Sequence, residues 1–269
     1  MKKIISVVNL KGGVGKTTTA VNIAACLGEM GKKVLVIDID PQGSASASYG
    51  EINPGDALLK ALQNREALPV MPTSLNEVDL VPSGPELVTA HQIFMGTDAN
   101  MILSQCIEKT EGDWDHVIID CPPSLGVLTM NALMACKHVI VPVETSFLGL
   151  HGLKQMVVAI ESVRSQNPDI EIEAIIPCRA HRRRMIHWDI MDTLKERFPG
   201  NVSPIIRENV SLAEAPGKGK PVILTARISK GADDYRLVTM WLNERISVEK
   251  ENEIENENVF SRNLMANFA

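Results

Sequence analysis

Residues 2–20 read KKIISVVNLKGGVGKTTTA and carry the strongest structural signal in the chain. The apolar run Ile4–Asn9 predicts a buried strand, and Lys16–Met30 has the pattern of a helix. The glycine-rich loop KGGVGKTT, residues 11–18, lies between them. Because glycine has no Cβ, the backbone N–H groups of such a loop can surround phosphate oxygens, and the helix N-terminus adds partial positive charge. The stretch therefore predicts a strand–loop–helix unit that binds the phosphates of a nucleotide.

The same alternation of strand and helix continues along the chain. Further predicted strands are Lys33–Ile39, Val78–Val81, Asp115–Asp120, His138–Val143 and Ile172–Pro177. Further predicted helices are Ala57–Gln63, Ala99–Lys109, Gly126–Cys136, Leu150–Gln166, Asp189–Arg197 and Ala232–Glu244. This order predicts an α/β fold, a single-domain, doubly wound, mostly parallel sheet with helices on both faces. We expect one domain over residues 1–247.

The composition argues against several classes of protein. No run approaches the ~18 apolar residues of a membrane span, and the N-terminus lacks the small-residue cleavage site of a signal peptide. The cysteine count is odd and no CxxC pair occurs, which indicates a reducing cytoplasm without disulfides or structural zinc. The formal net charge of −6 does not indicate a nucleic-acid-binding protein, although local basic patches can still bind one.

The last residues differ from the rest of the chain. From Glu249 the sequence reads EKENEIENENVFSRNLMANFA, which is acidic and then weakly apolar. We expect residues 248–269 to form a flexible tail, as such compositions do. A partner-binding segment remains the alternative, and its apolar contacts would be Val259, Phe260, Leu264, Met265 and Phe268.

The loop and two strand ends together predict a magnesium–nucleotide site. Lys16 would reach the β- and γ-phosphates, and the Thr17 hydroxyl would bind Mg²⁺. Asp120 ends the strand HVIID, where P-loop proteins place a carboxylate that holds Mg²⁺ through water. Asp38 and Asp40 end the strand VLVIDID at the edge where open α/β sheets bind ligands, so either could meet the nucleotide. A helix cap is the alternative role for these carboxylates, mainly for Asp38.

The loop departs from the strict P-loop pattern, since position 10 is leucine rather than glycine and a second lysine, Lys11, opens the loop. With this feature the chain resembles the ParA/Soj-like group of deviant Walker ATPases, P-loop NTPases related to MinD and the nitrogenase iron protein. The resemblance covers roughly residues 1–247. It rests on five segments in order, KGGVGKTTTAVNIA, VLVIDIDPQGSASA, HVIIDCPPSLGVLTMNAL, VIVPVETSFLGLHGL and IIRENVSLAEAPGKGKPV.

The resemblance implies a role for each matching position. Lys11 would cross to the nucleotide of a partner in an ATP-sandwich homodimer, and Gly12 would lie at the dimer contact. Asp40 would orient the attacking water, and Asp120 would be the Walker B aspartate. The nucleotide-binding set, with ATP and Mg²⁺ as cofactors, would be Lys11, Gly12, Gly13, Val14, Gly15, Lys16, Thr17, Thr18, Arg207 and Asn209. The last two would contact adenine, although members often read PRNV where this chain reads RENV.

The resemblance also implies nonspecific double-stranded DNA and a ParB-like, cargo-bound activator as partners, with weak intrinsic turnover. The predicted protein is cytoplasmic and nucleoid-associated, and its cargo is a chromosome origin, a plasmid or a protein assembly. The basic positions that could contact DNA are Arg182, Arg183, Arg184, Lys218 and Lys220.

Three alternatives stay open. A MinD-like protein would bind a membrane through its tail, but the acidic residues before the apolar ones oppose contact with anionic lipid. An iron-protein relative would bind a cluster through Cys121 and Cys136, which are more typical of small core residues. A regulatory protein would use the ATP-dependent dimer as a switch for a protein partner, with DNA incidental.

Overall fold

The computed structural model describes residues 2–52, 54–92, 94, 96, 98–180 and 185–248. Its strands are β1 (Lys3–Val7), β2 (Val34–Asp38), β3 (Met71–Pro72), β4 (Val78–Val81), β5 (His116–Asp120), β6 (His138–Glu144) and β7 (Glu171–Cys178). Its α-helices are α1 (Lys16–Glu29), α2 (Ser44–Ala47), α3 (Ala57–Asn64), α4 (Ile102–Lys109), α5 (Val127–Ala135), α6 (Phe147–Arg164), α7 (Met185–Arg197), α8 (Val210–Glu214), α9 (Val222–Thr225) and α10 (Lys230–Val248). Arg182, Arg183, Arg184 and the tail from residue 249 lie outside the described residues, so their roles stay predictions.

The strands form one sheet in the order β3-β4-β2-β5-β1-β6-β7. Every neighbouring pair is parallel except β3 with β4, which is antiparallel. The central strand β1 pairs with β5 and β6, so the loop after β1 leaves the middle of the carboxyl edge. The predicted single-domain α/β fold with a mostly parallel sheet is confirmed.

The sheet has a hydrophobic core on each face, because alternate side chains of each strand point to opposite sides. In β5, Val117 and Ile119 pack in the core beneath α3 to α7, whereas Ile118 packs in the core beneath α1 and α10. Burial on both faces explains why these strands read as continuous apolar runs. The free cysteines of the described chain are all buried, Cys121 and Cys136 among them.

The edge strand β7 is covered by the segment at residues 201–207. Ile175 pairs with Val202 and Ala180 with Arg207 in parallel bridges. Backbone hydrogen bonds run in both directions, including Ile175 N–H to Asn201 O at 2.8 Å and Ile206 N–H to Pro177 O at 2.8 Å. The exposed side of β7 is therefore occupied by its own chain.

Among the helices of the described residues, none combines the length and the apolar character that a membrane crossing requires.

Candidate nucleotide site

A cavity of about 730 Å³ opens at the carboxyl edge of the sheet, beside the loop between β1 and α1. The other walls come from the loop after β2, the end of β7 and the segment before and through α8. Its lining includes Gly12, Gly13, Val14, Gly15, Lys16, Thr17, Thr18, Asp40, Arg179, Arg207, Asn209 and Tyr235. Most of the predicted nucleotide-binding residues thus surround one space of the size that small-molecule ligands occupy.

The loop has the backbone of a phosphate-binding loop. Gly13 and Gly15 adopt left-handed conformations, with φ of 73° and 101°, that side chains disfavour. Gly15 is the N-cap of α1 and no side chain caps the helix, so its first N–H groups are available to an anion. A Cβ on Gly12 or Gly13 would meet nothing within 4 Å in this single chain. Any steric role of Gly12 therefore requires a partner molecule.

The two lysines of the loop have different environments. Lys16 is buried, lines the cavity and donates to the carbonyl of Lys11 at 3.3 Å. Burial lowers the pKa of Lys16, an effect that Asp120 and Asp40 oppose. Lys11 does not line the cavity of its own chain, because its ammonium group forms a half-buried ion pair with Glu144. The structure thus brings only one of the two lysines to the cavity.

Asn9 fixes the backbone beneath Lys11. The side chain of Asn9 donates to Pro142 O at 2.7 Å and accepts from Lys11 N–H at 3.0 Å. Pro142 and Glu144 both belong to β6. Asn9 therefore links the backbone of Lys11 to β6, and the side chain of Lys11 binds Glu144 on the same strand.

Three carboxylates lie near the loop with different partners. Asp38 and Asp120 are paired in register on β2 and β5, and both are completely buried. Asp38 accepts from Ser46 N–H at 2.8 Å and Ser46 Oγ at 2.7 Å, so its carboxylate binds the short helix α2 that follows β2. Asp40 accepts from Gln42 N–H at 3.0 Å and lines the cavity. Of the two strand-end candidates, Asp40 is the one at the cavity.

The surroundings of the Asp120 carboxylate test whether the site is suited to bind magnesium. Within the described part of the chain, neither carboxylate oxygen of Asp120 has a well-formed hydrogen bond, although the Thr17 hydroxyl acts on the carboxylate. Burial and the neighbouring Asp38 carboxylate raise the pKa of Asp120 well above its usual range, while the Thr17 hydroxyl and the Lys16 ammonium oppose the shift. Two buried carboxylate oxygens without a well-formed hydrogen bond are suited to hold a hard cation, directly or through water. The residues present therefore fit a magnesium-bound nucleotide.

The predicted adenine contacts line the cavity, and each already has a side-chain polar group bound within the chain. The Arg207 guanidinium binds Asp234, with Nε to Oδ2 at 2.9 Å, and this partner raises the pKa of Arg207. Asn209 is the N-cap of α8 and accepts from Ser211 N–H at 2.9 Å. Both residues build the wall, and their contact with adenine stays a prediction.

The structure adds two residues that the sequence did not assign to the nucleotide site, although Arg179 begins the basic run of residues 179–184. Glu144 follows the apolar part of β6, and Arg179 follows β7 and lines the cavity. The sequence signal that could have identified Glu144 and Arg179 is a charged residue at the end of a predicted strand. Lys218 and Lys220 do not line the cavity; Lys218 lies 3.6 Å from Glu214 in an exposed ion pair. The contact of Lys218 and Lys220 with DNA stays a prediction.

The fold and the cavity together define a P-loop nucleotide-binding protein. A family model described as AAA domain matches residues 2–172. Sporulation initiation inhibitor protein Soj from Bacillus subtilis is 37% identical over 243 residues, 87% of this chain and 96% of the relative. Chromosome partitioning protein ParA from Myxococcus xanthus is 36% identical over 240 residues, 87% of this chain and 85% of the relative. The chain belongs to the ParA/Soj family of P-loop ATPases.

A solved structure of a nucleotide-bound protein shares the fold. Cobyrinic acid a,c-diamide synthase from Mycobacterium smegmatis, crystallised with ADP and magnesium, superposes with a TM-score of 0.78 at 30% identity. The match covers 94% of this chain and 97% of that one.

Proposed function

We propose that the chain is a magnesium-dependent ATPase that forms an ATP-sandwich homodimer, binds DNA without sequence preference in that state, and positions a cargo. The observation that carries the proposal is the position of Lys11. The rest of the phosphate loop faces the cavity of its own chain, whereas Lys11 is held outside it by Glu144. A cation excluded from its own site is suited to act on the nucleotide of a second chain.

The residues of the cavity would divide the chemistry. Mg²⁺, when bound, neutralises the negative charge of the phosphates. Lys16 and the N–H groups at the start of α1 would bind phosphate oxygens, and Thr17 and Asp120 would hold the metal, Asp120 through water. Asp40 would orient the attacking water. Because Lys11 would add its charge only after dimerisation, intrinsic turnover is weak and hydrolysis follows assembly.

DNA binding would depend on basic residues outside the cavity. The proposed positions are Lys218 and Lys220, together with Arg182, Arg183 and Arg184 outside the described residues. The overall charge of −6 means that DNA attraction has to come from a local patch, which dimerisation would double. The relative named chromosome partitioning protein ParA supports a chromosome origin as cargo, and a plasmid or a protein assembly is the alternative. A ParB-like activator on that cargo would stimulate release, and the protein would be cytoplasmic and nucleoid-associated.

DNA retardation with ADP, with ATP and with ATP plus Asp40→Ala tests the proposal. We expect binding only with ATP, persistence in the Asp40→Ala variant, indifference to sequence, and a steep loss of affinity with salt. Lys218→Glu should weaken binding. Lys60→Glu is the matched control, because Lys60 forms the same exposed i,i+4 ion pair with Asp56 on α3.

Two results would contradict the proposal. If ATP drives dimerisation but no nucleotide state binds DNA, the chain acts as a regulatory switch or on a membrane, and the DNA-based model is wrong. If DNA binding is equal with ADP and ATP, the nucleotide does not control it.

A further inference from the structure

Two non-glycine residues in the described chain have left-handed backbones, Arg65 with φ of 55° and Arg179 with φ of 53°. Such conformations are unfavourable for side-chain-bearing residues and persist only where the surroundings impose them. Arg65 is the C-cap of α3, a position where helix ends commonly turn left-handed. Arg179 follows a strand, so helix termination does not explain its conformation.

The neighbours of Arg179 hold its backbone against the cavity. Cys178 Sγ lies 3.7 Å from where a Cβ on Gly15 would be, so the preceding residue packs on the phosphate loop. Ala180 N–H donates to Ile206 O at 3.0 Å, so the following residue is joined to the opposite wall. Arg179 is thus fixed between the two walls of the cavity, next to the N-terminus of α1.

The charge of Arg179 is available, in contrast to that of Arg207. Both arginines line the cavity, but the guanidinium of Arg207 is bound to Asp234. Arg179 is exposed and forms no ion pair with any of the residues that the structure describes. A strained residue with an unneutralised cation at the mouth of an anion site indicates a ligand role.

We propose that Arg179 is a phosphate-binding residue, whose guanidinium pairs with phosphate oxygens that ADP and ATP share. The proposal rests on the proposed nucleotide-binding function of the cavity. A guanidinium matches two phosphate oxygens at once. Arg179 lines the cavity of its own chain, which Lys11 does not, and it follows Cys178, which packs against Gly15. Its contact is therefore formed within one chain and before dimerisation.

The test measures Kd for ADP and for ATP with Mg²⁺ on the full chain by titration calorimetry. Arg179→Gly keeps the backbone conformation, because glycine adopts it without strain. We expect this variant to bind both nucleotides roughly 10- to 100-fold more weakly, to the same extent for each. Arg65→Gly is the matched control, since it makes the same replacement at the other left-handed arginine. Its Kd should stay within about twofold of the wild type, because Arg65 does not line the cavity.

Arg179→Lys separates contact with phosphate from stacking on the base. Lysine retains the charge but not the two-pronged geometry, so we expect its Kd to lie between those of the wild type and Arg179→Gly. An affinity of Arg179→Lys equal to that of Arg179→Gly would mean that the charge contributes nothing, and the phosphate assignment would be wrong. A loss confined to ATP would place the contact at the γ-phosphate and overturn the shared-phosphate proposal.

The outcomes also separate this proposal from the proposed function. If the wild type binds neither nucleotide, the function of the cavity is wrong. If the wild type binds ADP and Arg179→Gly binds it equally well, only the role of Arg179 is wrong.

Discussion

Lys11 and Lys16 show how one residue type acquires two roles within a single loop. Lys16 is enclosed by the cavity, near Asp120 and Asp40. Lys11 pairs with Glu144, which is 133 positions away in the chain. Sequence spacing predicts both lysines, but a contact at that separation exists only because β1 and β6 are neighbours in the sheet.

Asp120→Asn tests the buried carboxylate. In the absence of Mg²⁺, we expect the variant to be more stable than the wild type, with a Tm higher by roughly 2–6 °C, because a buried unpartnered charge is removed. Nucleotide affinity should at the same time lose its dependence on Mg²⁺. Thermal unfolding of the metal-free chain and ADP titrations with and without Mg²⁺ measure the two effects. Asp113→Asn, which removes an exposed carboxylate, serves as control. Unchanged Mg²⁺ dependence would contradict the role of Asp120.

For Asp38 and Asp40, the sequence predicted the location of the site but not which of the two residues faces it. Alternation along the strand places both on one face, and the sequence left open which of them meets the nucleotide. The structure assigns Asp38 to Ser46 and the turn after β2, while Asp40 reaches the cavity. Hydrogen bonds from Ser46 of α2, eight residues further along the chain, distinguish Asp38 from Asp40, and no local sequence pattern encodes them.

At the scale of elements, the long strands and helices were predicted within a few residues, because burial and periodicity specify them. Among the short elements, β4 was predicted with its exact bounds, whereas β3 and the short helices α2, α8 and α9 were not predicted. The strand β3 has two residues, too few for alternation, and Pro72 lacks the N–H that an inner strand needs. The predicted helix Ala99–Lys109 is divided into a 3₁₀ turn at Ala99–Met101 and α4.

Gly149 and Gly152 offer a matched pair on α6. A Cβ on Gly149 would lie 2.0 Å from Glu144 O, whereas one on Gly152 would meet Asn9 Oδ1 at 3.5 Å, an ordinary contact. We expect Gly149→Ala to lower the free energy of unfolding by roughly 2–3 kcal/mol, since the helix must shift away from β6. Gly152→Ala should be neutral or stabilise the chain by up to about 1 kcal/mol. Urea unfolding compares them, and equal effects would mean that α6 is not seated this closely on β6.

The stability of the whole molecule depends on pH partly through a buried histidine, His116, far from the cavity. His116 begins β5, and both its ring nitrogens are buried without hydrogen-bond partners in the described chain. Burial, assisted by the charge of Lys3, lowers the pKa of His116 to about 4. The unfolded chain therefore binds the proton more readily than the folded one between about pH 6.5 and pH 4. Stability from this group is present above that window and is lost as the pH falls through it.

His116→Phe isolates this contribution. We expect the free energy of unfolding of the wild type to fall, relative to the variant, by up to about 1.4 kcal/mol per pH unit below about pH 6.5. Asp38 acts in the opposite sense, because burial raises its pKa to about 6, but this effect is common to both proteins. Urea unfolding at several pH values measures the difference. His91→Gln, at an exposed histidine, should retain the wild-type slope. Parallel curves for His116→Phe and the wild type would contradict the assignment.

The segment at residues 201–207 covers the edge of β7 and continues into the cavity wall at Arg207. An uncovered strand edge is a template for pairing with other chains, which promotes aggregation. One short segment thus covers the β7 edge of the sheet and also bounds the ligand site. A ligand bound against this wall would hold residues 201–207 on the edge of β7. Occupancy of the site would therefore protect the protein from aggregation as well as from unfolding.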